Sequence, residues 1–115
     1  MPFNVDPRRQ RPRVYFNGKE VQIETDSGHK SAAQLMDLSV LGIGVVSSAG
    51  YFEGDKVDIS FDAFDHHFHL SGEVKRVTGK ELYIKFGQLT SDEAEFITQI
   101  VEQHGSMKRP PKVIR

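Results

Sequence analysis

The chain has 115 residues, with 15 Lys and Arg against 16 Asp and Glu, a net charge of −1 and no cysteine. That length suits one domain with a modest core, and the missing thiols exclude disulfides, thiolate catalysis and cysteine-ligated zinc. No apolar run is long enough to cross a bilayer as a helix. Pro2, Asn4 and Asp6 stand where a secretion signal needs an apolar core, so the expectation is a cytoplasmic protein.

Residues 1–13 hold Pro2, Pro7 and Pro12 and the bases Arg8, Arg9, Arg11 and Arg13, with no hydrophobic period. They predict a flexible or extended arm. Residues 106–115 carry Lys108, Arg109, Lys112 and Arg115 beside two prolines and predict a flexible basic tail. These eight residues take more than half of the positive charge, leaving seven bases against 15 acids in the body between. An acidic body would repel a duplex nucleic acid, whereas a basic end suits a smaller anion.

The body, residues 14–105, reads as short strands and one helix. Val14-Tyr15-Phe16 leads into Asn17-Gly18, and Val21 and Ile23 follow in alternation with polar residues. Asn-Gly between two such runs predicts a hairpin turn, since both residues tolerate positive φ. After the Asp26-Ser27-Gly28 turn, strands are expected from about His29 to Leu38 and from Gly42 to Ser47. Val57, Ile59 and Phe61 alternate with Asp58, Ser60 and Asp62, the period of a half-buried strand. Phe68, Leu70, Gly72 and Val74 continue that rhythm. Leu82, Ile84 and Phe86 form the last strand beyond the Thr78-Gly79-Lys80 turn. Six or seven strands with frequent turns predict an antiparallel barrel or sandwich. In the helix, Thr90 is the expected N-cap and Glu93 completes a capping box. Phe96, Ile97, Ile100 and Val101 share one face, which is expected to pack onto the barrel, and Gly105 suits the stop.

Two short patterns carry the chemistry. One is R-x-x-x-R, Arg9 to Arg13, with Arg8 just before it. The other is D-x-S-x-x-G, formed by Asp37, Ser39 and Gly42. Either alone is common: arginines four apart suit a solvated arm, and Asp-x-Ser before glycine suits a self-bonded turn. Their order and separation, with Val14 opening the first strand, Gly42-Ile43-Gly44-Val45 after the second motif and Tyr83-Ile84-Lys85-Phe86 near the end, resemble the PilZ domain family. The resemblance covers residues 8–104. It implies a mainly β fold, a six-stranded antiparallel β-barrel with a C-terminal α-helix, and it implies the ligand cyclic di-GMP.

The ligand's chemistry suits these side chains. An arginine fork meets guanine O6 and N7 bidentately, charge-assisted bonds hold phosphate oxygens, and a guanidinium plane can stack on a purine. Asp37 can accept from guanine N1–H and N2–H. By resemblance, Arg9 and Arg13 take guanine and phosphate, and Asp37 and Ser39 take guanine, with Ser39 adding a hydroxyl contact or shaping the turn. Gly42 is expected to supply a backbone angle or clearance. An arginine at position 8 implies two cyclic di-GMP molecules per chain, and Arg76 implies a ligand-stacking side chain on a late strand. Arg11, between the paired arginines, is left between ligand and solvent.

Asp62, Asp65, His66, His67 and His69 cluster, but His67 and His69 alternate with the apolar Phe68 and Leu70. The cluster is expected to be an exposed strand and hairpin, with no metal. There is no G-x-S-x-G elbow and no P-loop, so neither an enzyme nor a further cofactor is expected. The expected function is a receptor whose arm orders on the ligand and which regulates motility, biofilm, exopolysaccharide or virulence through an effector protein. The alternative keeps the fold and drops the nucleotide: a PilZ-like interaction module of type IV pilus assembly. A metal-binding or enzymatic barrel centred on the histidines is the third reading.

Overall fold

In the computed structural model, residues 12–106 are described. Among them are six strands and one helix: β1 (Val14–Thr25), β2 (Lys30–Leu38), β3 (Gly42–Val46), β4 (Lys56–Ala63), β5 (His66–Thr78), β6 (Glu81–Phe86) and α1 (Ser91–His104). The strands close into an antiparallel barrel in the order β1-β2-β3-β6-β5-β4. Closure comes from β1 pairing with β4, from Gln22↔Ser60 to Thr25↔Val57, which removes exposed sheet edges. The alternation expected from sequence fills the interior. Phe16, Ile23, Leu35, Ile43, Ile59 and Ile84 are fully buried, each contributing about 1.5–3 kcal/mol by leaving water.

The helix is built as its sequence predicts at the N-terminus. Thr90 Oγ1 accepts from Glu93 N–H at 3.1 Å, and Glu93 Oε1 accepts from Thr90 N–H at 2.9 Å. Ile97, Ile100 and Val101 are its buried residues. Phe96 packs against His66 and Phe68 at 4.4 and 5.6 Å between ring centroids, so the helix is seated on the β4–β5 hairpin. At the other end Gly105 has φ −77°. The stop therefore uses no left-handed conformation; it uses the missing side chain. A Cβ on Gly105 would lie 2.3 Å from Val101 O and 3.2 Å from Pro12 Cβ.

Asn17-Gly18 does not turn the chain. Both sides of it pair with β2, Tyr15 with Asp37 and Lys19 with Leu35, and the register shifts between them. Gly18 takes φ +75°, so the dipeptide supplies the positive φ that a bulge needs, and the strand bends instead of reversing. The reversal with two positive φ values falls elsewhere, at Phe64 (55°) and Asp65 (57°), between the paired Ala63 and His66. This is the geometry that normally selects Asn-Gly. Here tertiary contacts hold it: the Phe64 ring meets Phe16 edge-on at 6.1 Å and stacks on His104 at 5.1 Å.

Candidate ligand-binding site

Strand pairing aligns five residues in one row across the outside of the barrel. Tyr15 pairs with Asp37, Asp37 with Gly44, Gly44 with Tyr83 and Tyr83 with Arg76. The row thus crosses β1, β2, β3, β6 and β5. The flanking Val14, Leu38, Ile43, Val45 and Ile84 are buried in the core, which leaves the row on the outer face.

Two bulges turn its charged members outward. On β2, Leu35 pairs with Val45 but Asp37 with Gly44, so Met36 is an extra residue. On β5, Val74 pairs with Ile84 but Arg76 with Tyr83, so Lys75 is extra. Leu35 and Val74 point inward. Strict alternation would send Asp37 and Arg76 inward as well, and each bulge reverses that phase. The sequence signal is an apolar spacing of three inside a strand: Leu35 to Leu38, and Val74 to Val77.

Between them β3 offers two glycines to the same face. A Cβ on Gly44 would lie 2.8 Å from Asp37 Oδ2, so the carboxylate occupies the space above that glycine. A Cβ on Gly42 would lie 2.8 Å from Tyr83 Cε1, so the phenol ring occupies the space above the other. Asp37 from β2 and Tyr83 from β6 therefore both lean over β3, the first above Gly44 and the second above Gly42. A cavity of about 240 Å³ lies here, lined by Asp37, Gly44, Arg76 and Tyr83 among others.

The other expected residues fall as follows. Ser39 is fully buried. Its Oγ donates to Gly42 O at 3.2 Å and accepts from Leu41 and Gly42 N–H, each at 3.3 Å. It shapes the β2–β3 turn, its hydroxyl bonded within that turn. Gly42 supplies clearance rather than an unusual angle: a Cβ there would lie 2.2 Å from Ile84 O. It keeps β3 close to β6. Arg13 is half-buried, two residues before Tyr15, with its Nε sealed from solvent together with Asp37 Oδ1. Its backbone pairs with Ser106. Arg8 and Arg9, with the arm assigned to residues 1–13, lie outside the described residues apart from Pro12 and Arg13. The tail lies outside them beyond Ser106. The sequence placed Tyr83 and Gly44 only within strand runs and gave neither a ligand role. The available signal was an aromatic at the outward position between Leu82 and Ile84, facing a G-I-G run.

The histidines are used differently. His67 Nδ1 meets Asp62 Oδ1 at 2.7 Å, and His66 packs edge-on against Phe68 at 4.7 Å. Among the described residues, no group of three or more His, Cys, Asp or Glu side chains could hold a metal. No helix of these residues is long and apolar enough to cross a membrane.

Comparison with known proteins places this geometry. The PilZ domain family model matches residues 7–103, which takes in both motifs. No curated protein matches the chain. Among solved structures, the PilZ domain of YcgR from Escherichia coli, determined with cyclic di-GMP, superposes with a TM-score of 0.67 at 17% identity, covering 84% of this chain and 91% of that one. The Bacillus subtilis inhibitor of motility MotI/DgrA gives 0.68 at 15%, covering 90% of this chain and 56% of that one. The Borreliella burgdorferi PlzA protein in complex with cyclic di-GMP gives 0.61 at 20%, covering 77% and 39%. At these identities the likeness establishes a shared fold.

Proposed function

The chain belongs to the PilZ domain family, and on that premise we propose that it is a cyclic di-GMP receptor, not an enzyme. One observation carries the reading. The bulges of β2 and β5 put Asp37 and Arg76 in a single outward row, two residues downstream of Arg13 at Tyr15. The carboxylate of the second motif and the last arginine of the first thus flank one surface. Asp37 accepts from the guanine Watson–Crick edge. Arg76 offers a planar guanidinium to a purine face, and Arg8, Arg9 and Arg13 supply the forks for O6, N7 and phosphate. Two relatives of the same fold, YcgR and PlzA, were solved with this ligand.

The cavity's size supports a role for the arm in this reading. About 240 Å³ is below the roughly 300–1,000 Å³ of sites that enclose a small ligand on their own. On this reading the barrel supplies one wall, and the arm completes the site by folding over the ligand, an order–disorder transition. The ordered arm then presents a new surface to a cytoplasmic effector protein, through which motility, biofilm formation, exopolysaccharide or virulence is controlled. Arg8 before the arginine pair implies two ligand molecules per chain.

Isothermal titration calorimetry at moderate salt on the parent chain and Arg9→Ala tests this. The expected result is saturable binding of two molecules per chain that is lost in the variant. An Arg9→Ala protein that binds as tightly as the parent overturns the role of the arm. A parent chain that gives no heat with cyclic di-GMP moves the function to nucleotide-independent protein interaction.

A further inference from the structure

We propose that Tyr83 is a ligand-contacting residue, whose ring stacks on the guanine that Asp37 holds by its edge; this rests on the cyclic di-GMP reading above. Three features of the row carry it. Tyr83 lies in register with Gly44 on one side and Arg76 on the other, so it sits between the two charged groups assigned to the ligand. Its ring rests over Gly42, with Cε1 2.8 Å from where a Cβ at 42 would lie, and that support restricts where the ring can swing. It is half-buried and lines the cavity.

Asp37 and Tyr83 offer complementary contacts to one base. A carboxylate must lie in the plane of guanine to accept from N1–H and N2–H, whereas an aromatic ring must lie above or below that plane. Two side chains leaning over β3 from opposite neighbours can meet the edge and the face of the same purine. Stacking on an aromatic is sequence-tolerant, so Tyr83 adds affinity while Asp37 selects guanine. The hydroxyl is secondary in this arrangement, and the ring supplies the contact.

Titration calorimetry with cyclic di-GMP on the parent, Tyr83→Phe and Tyr83→Ala tests the proposal, with thermal melting of each as a check on folding. Tyr83→Phe is expected to bind within about twofold of the parent. Tyr83→Ala is expected to lose on the order of tenfold in affinity, as base–aromatic stacking implies. A folded Tyr83→Ala chain with the parent's affinity overturns the role of Tyr83 and leaves the receptor reading intact. A parent that does not bind overturns both. A second readout does not depend on the alanine variant folding. The chain has no tryptophan and three tyrosines, so Tyr15→Phe/Tyr51→Phe leaves Tyr83 as the sole emitter. Its fluorescence lifetime is expected to shorten on saturation with cyclic di-GMP, because a stacked guanine quenches the phenol. An unchanged lifetime at saturation overturns the proposal.

Discussion

Arg13 and Ser106 exchange both backbone hydrogen bonds of an antiparallel pair, Arg13 N–H to Ser106 O at 3.0 Å and Ser106 N–H to Arg13 O at 2.9 Å. The root of the arginine arm is thereby tied to the residue just past the helix, whose last turn is itself closed by Gly105 N–H on Val101 O at 2.7 Å. Where Arg13 sits relative to the Asp37–Arg76 row is thus set partly by the helix end.

That relationship predicts the effect of Ser106→Pro, which removes the donor to Arg13 O. One hydrogen bond is worth about 1 kcal/mol net. If the bridge positions the arm, affinity for cyclic di-GMP falls by about fivefold. The melting temperature is expected to fall by only a few degrees, since the barrel's ladders are untouched. Calorimetric Kd and the melting curve separate the two effects, and an unchanged Kd would show that the bridge does not serve the site.

The two glycines of β3 predict opposite failures. Gly44→Ala places a methyl 2.8 Å from Asp37 Oδ2, the end of a side chain that can swing aside. The fold is expected to survive while the carboxylate leaves its place over β3, and affinity falls by on the order of tenfold. Gly42→Ala places a methyl 2.2 Å from Ile84 O and 3.0 Å from Lys85 Cα, so β3 and β6 must part. Overpacking of this kind costs about 2 kcal/mol or more, on the order of 10 °C in melting temperature. Melting and titration of both variants check the contrast. Equal loss of stability in the two would show that the Asp37 side chain cannot yield.

A surface cluster sets a weak pH dependence. Glu73 accepts from Lys56 Nζ at 2.6 Å and Lys75 Nζ at 3.1 Å. Hydrogen bonds from Lys56 and then Lys75 hold the Glu73 carboxyl below its ordinary 4.5, and the bond to Glu73 raises Lys56 above 10.5. The Glu73 contribution is therefore present above the unfolded value and is lost as pH falls through the lower folded one. The Lys56 contribution is present below its unfolded value and is lost as pH rises through the higher folded one. Both lysines are exposed and Glu73 is partly exposed, so the effect is small and screened by salt. The melting difference between the parent and Glu73→Gln is expected to be flat from about pH 6 to pH 9 and to shrink in acid. A difference that grows in acid would refute the assignment.

What could be read beforehand follows from which forces are local. The period-two runs Val57-Ile59-Phe61 and Leu82-Ile84-Phe86 gave their strands directly, because each side of those strands meets one environment. The Thr90–Glu93 box is contained within four residues, and it formed as read. Asn17-Gly18 announced positive φ correctly, but whether the chain then reverses or bulges depends on β2, which pairs on both sides of it. The hairpin around Asp65 was legible from the strands on either side, but Phe64-Asp65 holds no Gly or Asn to mark its turn type, because the partners that hold it, Phe16 and His104, are distant in sequence. The second motif and Arg76 were readable through family resemblance, yet their convergence depends on extra residues at Met36 and Lys75 that look like ordinary strand positions. Tyr83 was legible only as part of the last strand for the same reason: an outward tyrosine looks like surface until two glycines on the neighbouring strand make room beside it.

The turn at Phe64 and Asp65 makes a final prediction in which the two positions answer with opposite signs. Each holds a left-handed backbone at φ 55° and 57°, which costs an L-residue about 1–2 kcal/mol. Asp65 is exposed, so Asp65→Gly relieves the strain with little packing lost. Glycine's larger unfolded-state entropy offsets part of the gain. The net expectation is stabilisation of about 0.5 kcal/mol, roughly 3 °C in melting temperature. Phe64→Gly relieves the same strain but removes the ring between Phe16 and His104. An aromatic pair is worth about 0.5–1.5 kcal/mol beyond its buried area, and with that area added the loss exceeds the relief. Phe64→Gly is therefore expected to melt several degrees below the parent. If both glycine variants melt above the parent, the rings do not hold the turn, and the left-handed pair is set by β4–β5 pairing alone.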